Sequence, residues 1–290
     1  MRPDELIGRM LREEDTVILF DRRNDVEQQA RLIGYEALDC AITSSPIGNA
    51  NVTVALLRPM SENAQRCATT ATSLGSRSGR PSFVKLLDRF YIPKAGDPVI
   101  SALFFQLIAE RYEELAAIDV NRQTAEILLR AALKESPSCD GPRKVLDFGC
   151  GTGCAVGALM ALGHDGRNVE LIGTDLCESM LSIAKGRGEA VVPLTEWRAI
   201  PGGDFVAAIS CFVLHYGVPA DDLACIAQQL KPGGIFSANL FKGDEAKLAQ
   251  LTSTLSMADL DLIWNEQLIT TPDTYNRHLL FKKRNGREVS

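Results

Sequence analysis

The sequence predicts an α/β protein: a mostly parallel sheet with helices on both faces and a closing antiparallel strand, preceded by an α+β extension. Three observations predict it. From Arg143 onward, short apolar runs alternate with helix-like ones, the pattern of strands joined by crossover helices. Within that region Val145-Leu146 leads into Gly149, Gly151 and Gly153 and then into an apolar-periodic segment, which reads as strand, tight turn and helix. Two strand-like runs, Leu260 to Thr270 and Tyr275 to Lys282, then close the chain on either side of Thr271-Pro272-Asp273, which suits an antiparallel pair.

In chain order, Asp4 to Arg12 reads as a short helix and Thr16 to Phe20 as a strand. Asp25 to Leu38 has the apolar spacing of a helix at Val26, Ala30, Ile33 and Ala37. Thr43 to Asn51, with Ser44-Ser45-Pro46 and Gly48-Asn49, is a loop, and Val52 to Leu57 is a strand stopped by Arg58-Pro59. Thr69 to Pro81 shifts to Thr, Ser, Gly and Arg, a loop or linker. Phe83 to Phe90 reads as a helix, interrupted by Ile92 to Pro98, and Val99 to Ala117 and Asn121 to Leu133 are amphipathic helices. After the break at Ser136 to Pro142, strands are expected at Lys144 to Phe148, Val169 to Thr174, Ala190 to Leu194, Phe205 to Cys211 and Gly234 to Leu240. Helices are expected at Ala155 to Leu162, Cys177 to Gly186, Pro219 to Leu230 and Asp244 to Ser256. The chain therefore divides into residues 1–97, an acceptor-binding, lid or dimerisation region, and residues 98–290, the core with its leading helices. No internal repeat is present.

At 290 residues the chain can bury one good core, or one core with a smaller appended domain. Its 46% hydrophobic and 23% charged residues are the balance of a soluble globular protein, and a net charge of -6 argues against a general polyanion binder. No apolar run reaches the roughly 18 to 20 residues of a membrane span. Met1-Arg2-Pro3-Asp4-Glu5 begins no signal peptide, so a cytoplasmic protein is expected. The eight cysteines form no Cys-x-x-Cys pair, and reduced, mostly buried thiols are the expectation rather than a disulfide or zinc framework.

The glycine turn is where chemistry enters. A strand, a glycine turn and a helix at a sheet's carboxyl edge bind a nucleotide-like molecule, because the backbone can approach it with no Cβ in the way. Asp175 ends the next strand, Leu171-Ile172-Gly173-Thr174, where a carboxylate can accept both hydroxyls of a ribose. The dinucleotide fingerprint fails, since Gly153 is followed by Cys154, and no Gly-Lys-Ser or Gly-Lys-Thr of a triphosphate loop is present.

Asp147-Phe148-Gly149-Cys150-Gly151-Thr152-Gly153 resembles the first motif of class I S-adenosylmethionine-dependent methyltransferases. The resemblance implies a Rossmann-like sheet, S-adenosyl-L-methionine as cofactor and S-adenosyl-L-homocysteine as product. In that family the loop holds the cofactor's amino-acid end and the leading acid orients its amino group, which maps onto Asp147, Gly149, Cys150, Gly151 and Gly153. The acid that grips the ribose maps onto Asp175, with Leu176 after it. Glu196-Trp197-Arg198-Ala199-Ile200-Pro201 resembles the element that contacts adenine, with Glu196 for the commoner Asp and Trp197 for a small residue. Asp204 to Tyr216 and Leu230-Lys231-Pro232-Gly233-Gly234 resemble the fourth strand and the turn feeding the fifth. The similarity covers roughly residues 100 to 285.

A sulfonium donor needs its acceptor aligned opposite the sulfur, water excluded and, for some acceptors, a proton removed; no metal is required. His215, just past the fourth strand, is either the general base or a structural histidine, and Tyr216 beside it shapes the acceptor pocket or packs in the core. Tyr112, on a leading helix, reaches over the cofactor or belongs to a buried stripe with Phe104 and Phe105. No Asn-Pro-Pro-Tyr or Asp-Pro-Pro-Tyr follows the fourth strand, where Cys211-Phe212-Val213-Leu214 stand instead. A small-molecule acceptor, such as a natural-product intermediate, is therefore expected, methylated on oxygen, nitrogen or carbon. The alternatives are a nucleic-acid or protein methyltransferase and a non-catalytic cofactor-binding subunit; a homodimer also remains open.

Overall fold

A computed structural model of the chain describes residues 1–22, 25–48, 50–61, 83–93, 97–165, 167–271 and 274–285. The expected loop or linker from Thr69 to Pro81 lies outside the described residues. The chain divides into two compact units, Met1–Ile108 and Ala109–Ser290. Among the described residues no helix is long and apolar enough to cross a membrane.

The first unit is α+β. Its five-stranded sheet has the order β2-β3-β1-β5-β4, from β1 (Val17–Asp21), β2 (Tyr35–Ser44), β3 (Asn51–Pro59), β4 (Phe83–Leu86) and β5 (Phe90–Pro93). Helices α1 (Pro3–Arg12), α2 (Val26–Leu32) and α3 (Pro98–Ile108) accompany it. β1 is the central strand and is buried throughout; beside it β3 withdraws Val52, Val54, Ala55, Leu56 and Leu57 from solvent, and Phe20, Phe90 and Phe104 pack ring on ring at 5.1–6.4 Å.

Two expectations fail in this unit. The helix from Asp25 stops at Leu32, because Gly34 turns the chain with φ 86° and Tyr35 then begins a strand paired with β3 along its length. Phe83 to Phe90 forms a hairpin rather than a helix. Leu87 and Asp88 both take positive φ, and the Arg89 N–H closes the turn on the Leu86 carbonyl. The spacing of Phe83, Leu86, Leu87 and Phe90 is that of a helix, and pairing of β5 with β1 through Ile18 and Leu19 overrides it.

In the second unit a single 3₁₀ turn (Ala109–Arg111) leads to α4 (Tyr112–Leu115) and α5 (Ile118–Glu135). The helix expected over Val99 to Ala117 is thus broken: its last part is a separate turn and a four-residue helix. The core strands are β6 (Arg143–Phe148), β7 (Val169–Asp175), β8 (Ala190–Pro193), β9 (Phe205–Ser210), β10 (Leu230–Phe241), β11 (Leu260–Gln267) and β12 (Asn276–Lys283). Its remaining helices are α6 (Cys154–Ala161), α7 (Glu178–Gly186), α8 (Leu194–Trp197), α9 (Ala220–Gln229) and α10 (Glu245–Met257). The sheet order is β11-β12-β10-β9-β6-β7-β8, and β12 runs antiparallel to both neighbours. This is the mostly parallel, Rossmann-like sheet with its closing antiparallel strand.

Strand alternation splits the core between the two faces. Leu146, Phe148, Phe236 and Phe281 face α9, α10 and Trp197. Val145, Ala207, Ile209 and Ile235 face Leu128 and Leu129 of α5 and Ala155 and Ala158 of α6. From β6 the chain winds outward to β7 and β8, then returns to place β9 on the other side of β6. The strand order reverses between β6 and β9, so a crevice at their carboxyl ends is where such a sheet binds ligands.

Candidate active site

The glycine loop occupies that reversal point. The N–H groups of Gly149 and Cys150 both donate to the Thr174 carbonyl, at 2.8 and 3.1 Å, which ties the loop to β7. Gly149 has φ +75°, and a Cβ there would stand 2.3 Å from Val213 Cγ2, so only glycine fits. At Gly151, φ +55°, a Cβ would meet nothing within 4 Å. The backbone there borders open space, as close approach to a ligand requires.

Three carboxyl groups surround the loop. Asp147 is 2% exposed and has no side-chain hydrogen bond among the described residues. Burial, and then the charge of Asp175, push its pKa up to about 7. Asp175 Oδ2 accepts from the Gly151 N–H at 3.0 Å and Oδ1 from the Cys177 N–H at 2.9 Å, while burial raises its pKa against those bonds. Glu189 lies behind the loop. Its oxygens occupy the room left by Gly153 and Gly173, where added Cβ atoms would meet them at 3.0 and 2.6 Å. Both oxygens are buried without a hydrogen-bond partner, and burial followed by the Asp147 charge pushes the pKa up to about 10.

Asp147, Gly149, Cys150, Gly151 and Thr152 line a cavity of about 30 Å³, closed on the other side by Tyr112, Ile118, Asn121, Cys154 and Cys211. That is roughly one water's share of liquid volume. The donor set fits the amino-acid end of S-adenosylmethionine: an unpartnered acid faces the cavity, and clustered carboxyls favour a ligand carrying sulfonium and ammonium charges. The cavity as it stands is small, and Tyr112, Ile118 and Asn121 carry its other wall. Tyr112 is the pivotal piece of that wall; burial, then the nearby Cys154 and Cys211, keep its phenol protonated.

The tip of β9 is held by buried amides. Phe212 adopts φ +56°, and its N–H donates to Asn239 Oδ1 at 2.6 Å; Asn239 Nδ2 donates to Asn276 Oδ1 at 2.8 Å. A left-handed non-glycine residue costs about 1–2 kcal/mol, and the fully buried Asn239 and Asn276 hold it in place. His215 follows on a single 3₁₀ turn (Leu214–Tyr216), with ring centroids 4.0 Å from Tyr216 and 5.3 Å from Phe241. Burial, then Lys242 and Lys247, lower its pKa to about 3, so the imidazole is neutral. Its Nδ1 is buried without a hydrogen-bond partner. Burial raises the Tyr216 phenol, with Tyr112 beside it.

The structure thus gathers Asp147, Gly149, Cys150, Gly151 and Tyr112 around one cavity, with Asp175 and Gly153 directly behind. Leu176 is 36% exposed just past the β7 tip, and Asp175 pairs with Pro193, so the turn of α8 starts beside it. Glu196 is exposed on that turn. Trp197 is elsewhere: fully buried, its ring 5.5 Å from Phe148, with an unpartnered Nε1. Sequence reasoning missed Glu189, Asn121, Cys154 and Cys211. An acid flanked by Gly188 and the short apolar run Ala190-Val191-Val192 was a visible signal for Glu189; the others are brought in only by tertiary packing.

Residues 145–234 match the family described as a methyltransferase domain. No curated protein matches the chain. Among solved structures, the chain is similar to Burkholderia thailandensis 1,6-didemethyltoxoflavin-N1-methyltransferase, crystallised with 1,6-didemethyltoxoflavin and S-adenosylhomocysteine. The identity is 18% and the TM-score 0.49, over 73% of this chain and 99% of that one. It is also similar to a putative methyltransferase solved in complex with the Haloferax volcanii Trm112 activator, at 16% identity and TM-score 0.47, over 62% of this chain and 98% of that one. A TehB-like methyltransferase of Corynebacterium glutamicum aligns at 17% identity and TM-score 0.45, with 62% and 98% covered. The family match spans the glycine loop, the acidic strand tip and the fourth strand, so residues 145–234 of the second unit are similar to a methyltransferase domain.

Proposed function

We propose that this enzyme methylates a small molecule, with the acceptor placed at the tips of β9 and β10 and the cofactor across the tips of β6, β7 and β8. When bound, S-adenosylmethionine supplies an activated methyl group on a sulfonium. The chain's part is to hold, orient and screen. Asp147 accepts from the ammonium, and the backbone of Gly149, Cys150, Gly151 and Gly153 follows the amino-acid end. Asp175 holds the ribose through oxygen lone pairs not used on Gly151 and Cys177. Adenine lies between Leu176 and the turn bearing Glu196, with Trp197 as the packed floor beneath, and Tyr112 closes over the ligand.

The observation that carries this reading is the junction of Gly151, which faces open space, with Asp147, an unpartnered acid beside the same cavity. For the acceptor side the support is chemical. The turn past β9 presents Phe212, Val213, a neutral His215 and Tyr216 rather than a cationic track, which suits a compact, partly apolar acceptor. His215 is neutral, and burial with Lys242 and Lys247 disfavours its imidazolium, so its proposed part is to orient the acceptor by hydrogen bonding rather than to take its proton. Residues 1–97 are proposed to bind or cover the acceptor.

The test is calorimetry with S-adenosylhomocysteine, followed by incubation of small-molecule extracts with isotopically labelled methyl donor and mass spectrometry. Saturable uptake and a labelled low-molecular-mass product are expected. Label appearing only in RNA, DNA or protein overturns the small-molecule assignment.

A further inference from the structure

Cys154 and Cys211 are not needed for methyl transfer, yet both face the cavity at Asp147 and Gly149. Cys154 opens α6 directly after the loop, and Cys211 follows the last residue of β9. In the sheet Asp147 pairs with Ile209, and Gly149 and Cys211 each lie just past the ends of these neighbouring strands. The two thiols therefore approach one small void from the helix side and from the strand side. Both are free and half-buried, and both pack against the same apolar cluster. Their side chains interact, the contact being the first cause of the elevated Cys211 pKa. The Cys211 thiol also lies 3.6 Å from the carbonyl of Asn121, which lines the same cavity.

We propose that Cys154 and Cys211 form a reversible disulfide that shuts the cofactor cavity; the closing role rests on the cofactor placement proposed above. Cys154, at the positive end of α6, is the attacking sulfur. Its thiolate attacks a hydroperoxide, giving a sulfenic acid and releasing water or an alcohol. The Cys211 sulfur then displaces water from the sulfenic acid and loses its proton. Overall two thiols give two electrons and two protons to the peroxide, and one S–S bond forms. A dithiol reverses it by thiol–disulfide exchange. The bond fills a void of about 30 Å³ and pins the start of α6 to the tip of β9. The loop then cannot open around an amino-acid moiety.

The experiment treats the full-length protein with hydrogen peroxide and maps its peptides by mass spectrometry without reduction, with calorimetry against S-adenosylhomocysteine in parallel. A Cys154–Cys211 cross-linked peptide is expected, with cofactor-product affinity falling at least about tenfold and returning after dithiothreitol, a change of about 1.4 kcal/mol. Cys154→Ser and Cys211→Ser, each compared with its own untreated sample, keep their affinity through peroxide. Absence of that peptide, or a dominant pair involving other cysteines, overturns the proposal. The cross-link with affinity unchanged overturns the closing role. Failure of the reduced protein to bind the product at all overturns the cofactor placement and the closing role with it, while the peptide map still decides the thiol pair.

Discussion

The Asp175 carboxylate and the Gly151 backbone N–H are hydrogen-bonded at 3.0 Å, which joins the tip of β7 to the middle of the glycine loop. One acid thus shapes the loop and, in the proposed cofactor placement, holds the ribose, so its removal is expected to touch binding more than folding.

Asp175→Ala is expected to stay folded and to lose about 2–3 kcal/mol of S-adenosylhomocysteine affinity, roughly 30- to 150-fold in Kd by calorimetry. Asp175→Asn, which keeps an acceptor oxygen, should lose less. Equal Kd values for wild type and the alanine variant would remove Asp175 from the binding site.

The two loop glycines separate folding from binding. Gly149→Ala places a methyl 2.3 Å from Val213 Cγ2 and should lower the melting temperature sharply. Gly151→Ala meets no neighbour, so it should cost only the about 1–2 kcal/mol of a left-handed alanine while weakening cofactor binding at least tenfold. Thermal melts with and without S-adenosylhomocysteine distinguish them. A Gly151→Ala protein with a full ligand-induced shift would contradict the proposed approach.

Cofactor uptake should release protons. Asp147 is held up to about 7 by burial and the Asp175 charge, and an ammonium beside it favours the ionised form. Affinity should therefore rise as pH increases through about 7 and level off above it. The sign for folding is opposite. A raised acid pKa means that the native state binds more protons than the unfolded one between 3.8 and about 7, so ligand-free stability falls across that window as pH rises. Calorimetry in buffers of different ionisation enthalpy, with denaturant melts at matching pH, checks both signs.

His215 should contribute no acid limb near neutrality, because its pKa is lowered to about 3. His215→Ala is expected to leave the Kd for S-adenosylhomocysteine unchanged and to reduce kcat by up to about 10²-fold through a less well oriented acceptor. Unchanged turnover would leave the residue a packing role against Tyr216 and Phe241.

Trp197→Phe removes an unpartnered buried N–H and should be tolerated, whereas Trp197→Ala should cost about 3–5 kcal/mol of stability through the cavity it leaves. Denaturant melts give the difference directly.

Much of this protein was legible in one dimension. The alternation after Arg143, the three loop glycines, Asp147 and Asp175 all act through local geometry, since strand period, left-handed turns and strand-tip acids are set within a few residues. Local pattern also misled where helical spacing lost to strand pairing: Phe83 to Phe90 became a hairpin, and Asp25 to Leu38 was cut at Gly34, because pairing with β1 and β3 outweighed that spacing. What only the tertiary structure decided was which distant groups share a space. Glu189 behind the loop, Trp197 in the core, and Cys154 beside Cys211 at the wall of one small cavity depend on long-range packing. Sequence spacing carries no trace of such packing, because the contacts form between segments whose separation along the chain is unrelated to their separation in the fold.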